Sequence, residues 1–137
     1  MVASTCLLSQ LQNHVTENVG EDDPSFVKLL QVTRRRHLEL LLDHTKPGGS
    51  AILITDLTSS DALPELKQAG DMVSDSIWKQ IESGNFFHGM NPRAIGAEFV
   101  QNENIKSQLA NTMMSRPWIW NATERLYACI AYGVLKK

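Results

Sequence analysis

The sequence has few cysteines, little net charge and no long hydrophobic run. Its two cysteines are Cys6 and Cys129, and their wide separation predicts neither a disulfide framework nor a zinc site. A net charge of −2 at pH 7 gives no field that favours nucleic acid or an anionic membrane. No apolar run approaches the roughly 20 residues that span a bilayer, and the first residues lack the basic flank of a secretory signal. We therefore expect a cytoplasmic protein without membrane or nucleic-acid partners.

The length and composition are those of an ordinary globular domain. Of the 137 residues, 42% are hydrophobic and 20% are charged, which is enough apolar material for one well-packed core. The sequence contains no internal repeat and no low-complexity segment that would divide it. We therefore expect residues 1–137 to form a single domain.

Strand and helix patterns alternate in the first half of the chain. Residues 1–8 predict a short strand that leads into a turn of helix. Acidic residues and Pro24 then open a helix, whose apolar residues recur at three- and four-residue steps as far as His44. Residues 46–49 contain proline and two glycines, which end this helix. The continuous apolar run over residues 50–57 predicts a strand that is covered on both faces.

The second half of the chain predicts helices followed by two strands. We predict helices after residue 61, over residues 71–82 and from residue 91 onward. Residues 109–115 and 126–135 have strand patterns, and we expect residues 116–123 to form a turn around two tryptophans. This order predicts an α/β fold with a mostly parallel sheet, one antiparallel strand and helices on the faces of the sheet.

Three consecutive passages carry a resemblance to a known family. They are the helix His37-Leu38-Glu39-Leu40-Leu41-Leu42, the turn Lys46-Pro47-Gly48-Gly49 and the strand Ala51-Ile52-Leu53-Ile54-Thr55-Asp56. In this order they resemble the helix, turn and fifth strand of class I (Rossmann-like) S-adenosylmethionine-dependent methyltransferases. Residues 2–11 are similar to the fourth strand of that family and the residues that leave it. Residues 125–132 are similar to its last strand, which is antiparallel.

The resemblance covers nearly the whole chain and implies the C-terminal half of a doubly wound sheet. The family's strand order is 3-2-1-4-5-7-6, so this half implies the order 4-5-7-6. The glycine-rich turn and the acidic residue that hold the methyl donor have no counterpart in this sequence. We therefore expect a methyltransferase-like fragment that can bind S-adenosylmethionine only if the missing N-terminal half is supplied. Alone, it would neither bind the donor nor transfer a methyl group.

A half sheet of this kind would leave the opening strand at an edge. The strand near residues 2–6 is short and apolar, and an unpaired edge is a template for another strand. We expect a homodimer through this edge, or pairing of the edge with the missing N-terminal half. The alternative function is a non-catalytic protein-interaction module that uses the same edge.

Ligands of open α/β sheets bind beyond the carboxyl ends of the strands. The resemblance implies that Ser4, Thr5 and Cys6 lie beside the reactive end of the donor. The candidates for substrate binding are Asp56, Thr58, Ser59, Phe87, His88 and Trp118. A loop with Phe87 and His88 suits a lid or a general base, and Trp118 offers a stacking surface. The alternative roles of these residues are turn capping and core packing.

Other reactive side chains give no clear pattern. The four histidines have no metal-ligand spacing, so no metal site is predicted. Ser9, His88 and Asp56 could be combined into a hydrolase triad, but no nucleophile-elbow motif supports it. The basic cluster at residues 34–36 is typical of a solvated helix face. No catalytic residue is assigned, and the methyl acceptor is not predicted.

Overall fold

The computed structural model describes residues 1–122 and 124–137. The strands are β1 (Val2–Thr5), β2 (Ser50–Ser59), β3 (Leu109–Met114), β4 (Trp118–Asn121) and β5 (Leu126–Lys136). The helices are α1 (Leu7–Val19), α2 (Phe26–Asp43), α3 (Asp75–Glu82), α4 (Pro92–Gln101) and α5 (Glu103–Lys106), with a 3-10 helix over Pro64–Gln68. The predicted α/β class is therefore confirmed.

The strands form one mixed sheet with the order β1-β2-β5-β3, and β4 also pairs with β5. β1 is parallel to β2, whereas β5 is antiparallel to β2, β3 and β4. It follows that β5 runs against the other four strands. The long pairing of β2 with β5, from Ser50 opposite Leu135 to Ser59 opposite Tyr127, forms the centre of the sheet.

β3 and β4 lie along the same side of β5, one after the other. β3 pairs with the C-terminal half of β5, and β4 pairs with its first residues. Between them, Ser115 N donates to Ala131 O at 2.8 Å. The prediction of a turn over residues 116–123 was wrong, because residues 118–121 form a strand. Pro117, just before β4, is tolerated because it lies at the edge of the sheet. Thr123, the last residue of the predicted turn, lies outside the described residues.

Of the two helices in the first half, only α2 begins and ends close to its predicted positions. α1 has 13 residues and is much longer than the predicted single turn. In α2, the apolar stripe is buried as predicted at Leu30 and Leu41, but Leu29 and Leu40 are 36% and 42% exposed. The basic cluster at residues 34–36 was predicted to be solvated, but Arg34 is only 8% exposed and lies 3.5 Å from the Glu98 carboxylate.

The helices of the second half have clear capping signals. α3 begins at Asp75 and not near residue 71, because Ser74 is its N-cap and accepts a hydrogen bond from Ile77 N at 3.3 Å. The residues before it pair with β4 instead: Ile119 N donates to Asp71 O at 2.8 Å. Asn91 caps α4, as its position before a proline predicts.

A single core joins the sheet to its helices. Tyr132 of β5 donates from its hydroxyl to Pro92 O at 2.9 Å, and its ring lies 5.5 Å from that of Phe99. These contacts place α4 against the sheet, while α1 packs on α2 and on β2. Within the described residues, no helix is both long enough and apolar enough to cross a membrane.

Candidate functional site

The carboxyl ends of β1 and β2 lie side by side and carry a polar cluster, which consists of Cys6, Ser9 and Asp56. Cys6 connects β1 to α1 in a left-handed backbone conformation, with φ 55° and ψ 13°. Its amide donates to Ile54 O at 2.8 Å, which extends the β1–β2 pairing by one residue. This sharp turn starts α1 directly at the strand end and brings Ser9 over Asp56.

Asp56 is the centre of this polar cluster. The Ser9 hydroxyl donates to the Asp56 carboxylate and lies 3.0 Å from Cys6 O. Burial, together with the nearby charge of Asp56, raises the pKa of the Cys6 thiol to about 11. A thiol with so high a pKa is protonated at neutral pH, so Cys6 is not an activated nucleophile.

A cavity of about 570 Å³ opens above this cluster. Its polar side consists of Ser9, Gln10, Asn13 and Thr16 of α1, together with Asp56 and Ser59 of β2. Its aromatic side consists of Phe86, Phe87 and Tyr127, and His88 and Arg125 complete the lining. The volume is typical of small-molecule sites in proteins, which measure roughly 300–1,000 Å³.

The loop over residues 85–90 is fixed over this cavity at several points. Phe87 N donates to Leu57 O at 2.7 Å, which ties the loop to β2. His88 Nε2 lies 2.9 Å from a Glu21 carboxylate oxygen, and the His88 ring meets Phe26 edge-on at 5.6 Å. Gly89 has φ +75° and lies against Gln12, where a β-carbon would be 2.6 Å from the Gln12 Cδ atom. The loop therefore needs glycine at position 89.

Several residues predicted for substrate binding share this cavity. Asp56, Ser59, Phe87 and His88 all line it. Thr58 is fully buried and its hydroxyl has no hydrogen-bond partner among the described residues. The remaining candidates are placed elsewhere: Trp118 pairs with Cys129 in the sheet, while Ser4 and Thr5 line a different groove.

Ser9, His88 and Asp56 do not form a hydrolase triad. Ser9 bonds to Asp56, but His88 bonds to Glu21 instead of Ser9. The site residues predicted from the sequence did not include Asn13, Thr16, Arg125 or Tyr127. The polar spacing of Ser9, Asn13 and Thr16 at four- and three-residue steps is the signal that would have indicated a polar helix face there.

A groove of about 500 Å³ runs beside β1 on the outer margin of the sheet. It lies between β1 and α2 and is lined by Val2, Ala3, Leu7, His37, Leu40 and His44, among others. Ser4 Oγ and His37 Nε2 are 2.8 Å apart at its base, and both residues are 8% exposed. Burial lowers the pKa of His37, so its imidazole favours the neutral form.

The described residues offer few groups that would hold S-adenosylmethionine. The turn after β1 contains Cys6, whose β-carbon limits how closely a ligand can approach the backbone there. The Ser4 hydroxyl is already bonded to His37. The residues at the end of β1 could therefore contact this donor but would not enclose it. The described residues also contain no cluster of three metal-ligating side chains.

Comparisons with known proteins do not add a function. No protein-family model, curated protein or solved structure matches this chain.

Proposed function

We propose that this chain is the acceptor-binding half of a methyltransferase-like domain, which binds S-adenosylmethionine only when a further segment adds to β1. The observation that carries the proposal is the outer edge of β1, which no strand of the described residues pairs with. In the resembling family, the strand that precedes the donor loop occupies this position. The alternative, a protein-interaction module, uses the same edge but needs no donor.

The sheet supports this proposal. If β1, β2, β5 and β3 correspond to the fourth, fifth, seventh and sixth strands of the family, the observed order β1-β2-β5-β3 reads 4-5-7-6. The direction of β5 against β2 and β3 also fits, because the family's last strand is antiparallel. β4 extends the line of β3 along the same side of β5, so it does not disturb this correspondence.

The chemistry of the β1 edge also supports it. Cys6 N bonds to β2, and backbone groups of residues two apart in a strand point to the same side, so those of Ser4 also face β2. The backbone groups of Ala3 and Thr5 therefore point outward. The apolar side chains of Leu7 and Leu40 are 45% and 42% exposed at the same groove. An extended segment there would gain hydrogen bonds and would cover apolar surface.

We expect the isolated 137-residue chain to give no saturable heat when it is titrated with S-adenosylmethionine. The physical reason is that the family's glycine-rich turn and the acidic residue that holds the ribose have no counterpart in this sequence. Isothermal titration calorimetry checks this, with S-adenosylhomocysteine as a second ligand and buffer injections as the control. Tight binding by the isolated chain would show that the donor site is complete without another segment.

We expect the β1 edge to associate with another strand, and Ala3→Pro to prevent this. Proline removes the outward amide of Ala3 but no β1–β2 hydrogen bond, so the fold should be retained. Light scattering after size-exclusion chromatography should show concentration-dependent association of the natural chain, about tenfold weaker in the variant. Ala3→Ser, which keeps the amide, is the matched control. A natural chain that stays monomeric at every concentration would contradict this expectation.

The two candidate functions differ in what the assembled protein binds. The chain is recovered from its natural source with whatever is paired to β1, and this assembly is titrated with S-adenosylmethionine. Saturable binding by the assembly but not by the isolated chain supports the methyltransferase-like function. An assembly that forms through β1 and binds no donor supports the interaction module instead.

A further inference from the structure

The polar side chains at the rim of the 570 Å³ cavity have partners of opposite or complementary character, whereas the carboxylate at its base has none that is cationic. Arg125 Nε lies 2.7 Å from an Asp61 carboxylate oxygen, and His88 is bonded to Glu21 at 2.9 Å. Asp56, at the base, accepts a hydrogen bond from the neutral Ser9 hydroxyl, and it forms no ion pair within the described residues. Asp56 is therefore a carboxylate of the cavity lining without a cationic partner among the described residues.

Part of the cavity wall is aromatic. Phe86, Phe87 and Tyr127 form this aromatic wall, and all three residues are half-buried. Aromatic rings attract a cation held over their faces and pack against another ring. The pairing of Phe87 N with Leu57 O holds this part of the wall in place.

From these two features we infer that the cavity binds an arylalkylamine, a compound whose protonated amino group is joined to an aromatic ring by a short alkyl chain. The ammonium group would lie against Asp56, and the ring would pack between Phe86, Phe87 and Tyr127. An anionic ligand would meet the Asp56 carboxylate, and a purely aliphatic amine would leave the aromatic wall without a partner. In treating this amine as the methyl acceptor, the inference rests on the proposed function.

Three ligands of similar size and different charge test the inference on the isolated chain. Phenethylamine is a cation, phenethyl alcohol is its neutral analogue, and hydrocinnamate is an anion. We expect phenethylamine to bind about tenfold more tightly than the alcohol, and hydrocinnamate to bind least. Calorimetry gives the affinities, and NMR shift changes in the natural chain should be largest at Phe86, Phe87 and Tyr127.

Asp56→Asn should abolish the preference for the amine over the alcohol. Asp43→Asn makes the same change at the exposed C-terminal end of α2, away from the cavity, and should leave the preference intact. Far-UV circular dichroism checks that both variants are folded. If Asp56→Asn does not fold, the ligand order and the shift map of the natural chain still decide the question.

The inference is overturned if amine and alcohol bind equally, if none of the three ligands binds, or if hydrocinnamate binds best. The last result would mean that Arg125 selects the ligand. Because these titrations need neither a methyl donor nor a partner at β1, their failure leaves the proposed function standing. Conversely, loss of association at β1 would leave the amine preference unchanged.

Discussion

Leu53→Ala should lower the free energy of unfolding by about 3 kcal/mol, near the middle of the range for leucine truncation in a packed core. Leu53 is 0% exposed and lies in β2, opposite Ser4 of β1 and Tyr132 of β5. Its truncation would leave a cavity at the centre of the sheet, where backbone pairing on both sides prevents the strands from closing the gap. Denaturant unfolding followed by circular dichroism measures the change.

Leu135→Ala provides the matched control for this substitution. Leu135 also lies in a central strand but is 43% exposed, so the same truncation removes less buried surface. We expect its effect to be below about 1 kcal/mol. Similar losses of unfolding free energy in the two variants would contradict the burial of Leu53 in the core.

Glu98→Gln should destabilise the fold by about 2 kcal/mol, because Glu98 joins α2 to α4. Its carboxylate lies 3.5 Å from Arg34 and 3.3 Å from Arg35, and it accepts a hydrogen bond from Asn102 at 3.0 Å. Glu98 is 7% exposed and the Arg34 side chain 9%, so the substitution leaves a nearly buried guanidinium without a counter-charge. The expected loss of stability is smaller than for a fully buried ion pair, because Arg35, the second cationic partner of Glu98, has a side chain that is 52% exposed.

The same residue should give the protein part of its acid sensitivity. Burial alone would raise the pKa of Glu98, but the hydrogen bond from Asn102 and the charges of Arg35 and Arg34 outweigh it and lower the pKa. A folded-state pKa below the unfolded value stabilises the protein above the unfolded pKa, near 4.5. This stabilisation is lost as the pH falls through the folded-state value.

Unfolding measured between neutral and acidic pH checks this sign. The natural chain should lose stability on acidification, and Glu98→Gln should flatten that dependence. Glu39→Gln is the control. Among the described residues Glu39 pairs only with the exposed Arg36 three residues away, at 3.1 Å, and the loss of this pair should cost less than about 0.5 kcal/mol. An unchanged acid dependence in Glu98→Gln would show that Glu98 is not its source.

The elements that could be predicted from the sequence are those with local signals. The proline and glycines at residues 46–49 separate α2 from β2, and the apolar run of β5 is long enough to be recognised alone. β4 was missed because its pairing depends on β5 and on residues 71–73, and because Pro117 resembles a turn signal. α1 was predicted too short because its buried positions include the polar residues Ser9 and Gln12, so the helix has no continuous apolar stripe.

The candidate site was predictable to the same extent. Ligands of α/β sheets bind at the carboxyl ends of parallel strands, and this rule predicts Asp56 and Ser59 at one end of the sheet. Both residues line the cavity there. The same rule does not predict that Thr58 is buried in the core, because β2 has an irregular register between Asp56 and Thr58. Tyr127 and Arg125 come from the other end of the sequence, and only the folded sheet brings them to the cavity.

The two flanks of the sheet differ in a way that limits how many chains can join. On the β3–β4 flank the line of strands is broken around Pro117, whose carbonyl already accepts from Val73 N at 3.2 Å. On the β1 flank no such break occurs. If two copies pair β1 to β1 about a twofold axis, each copy covers the β1 flank of the other. Neither copy then has an unbroken edge strand among its described residues, so such a dimer would not extend into a fibril.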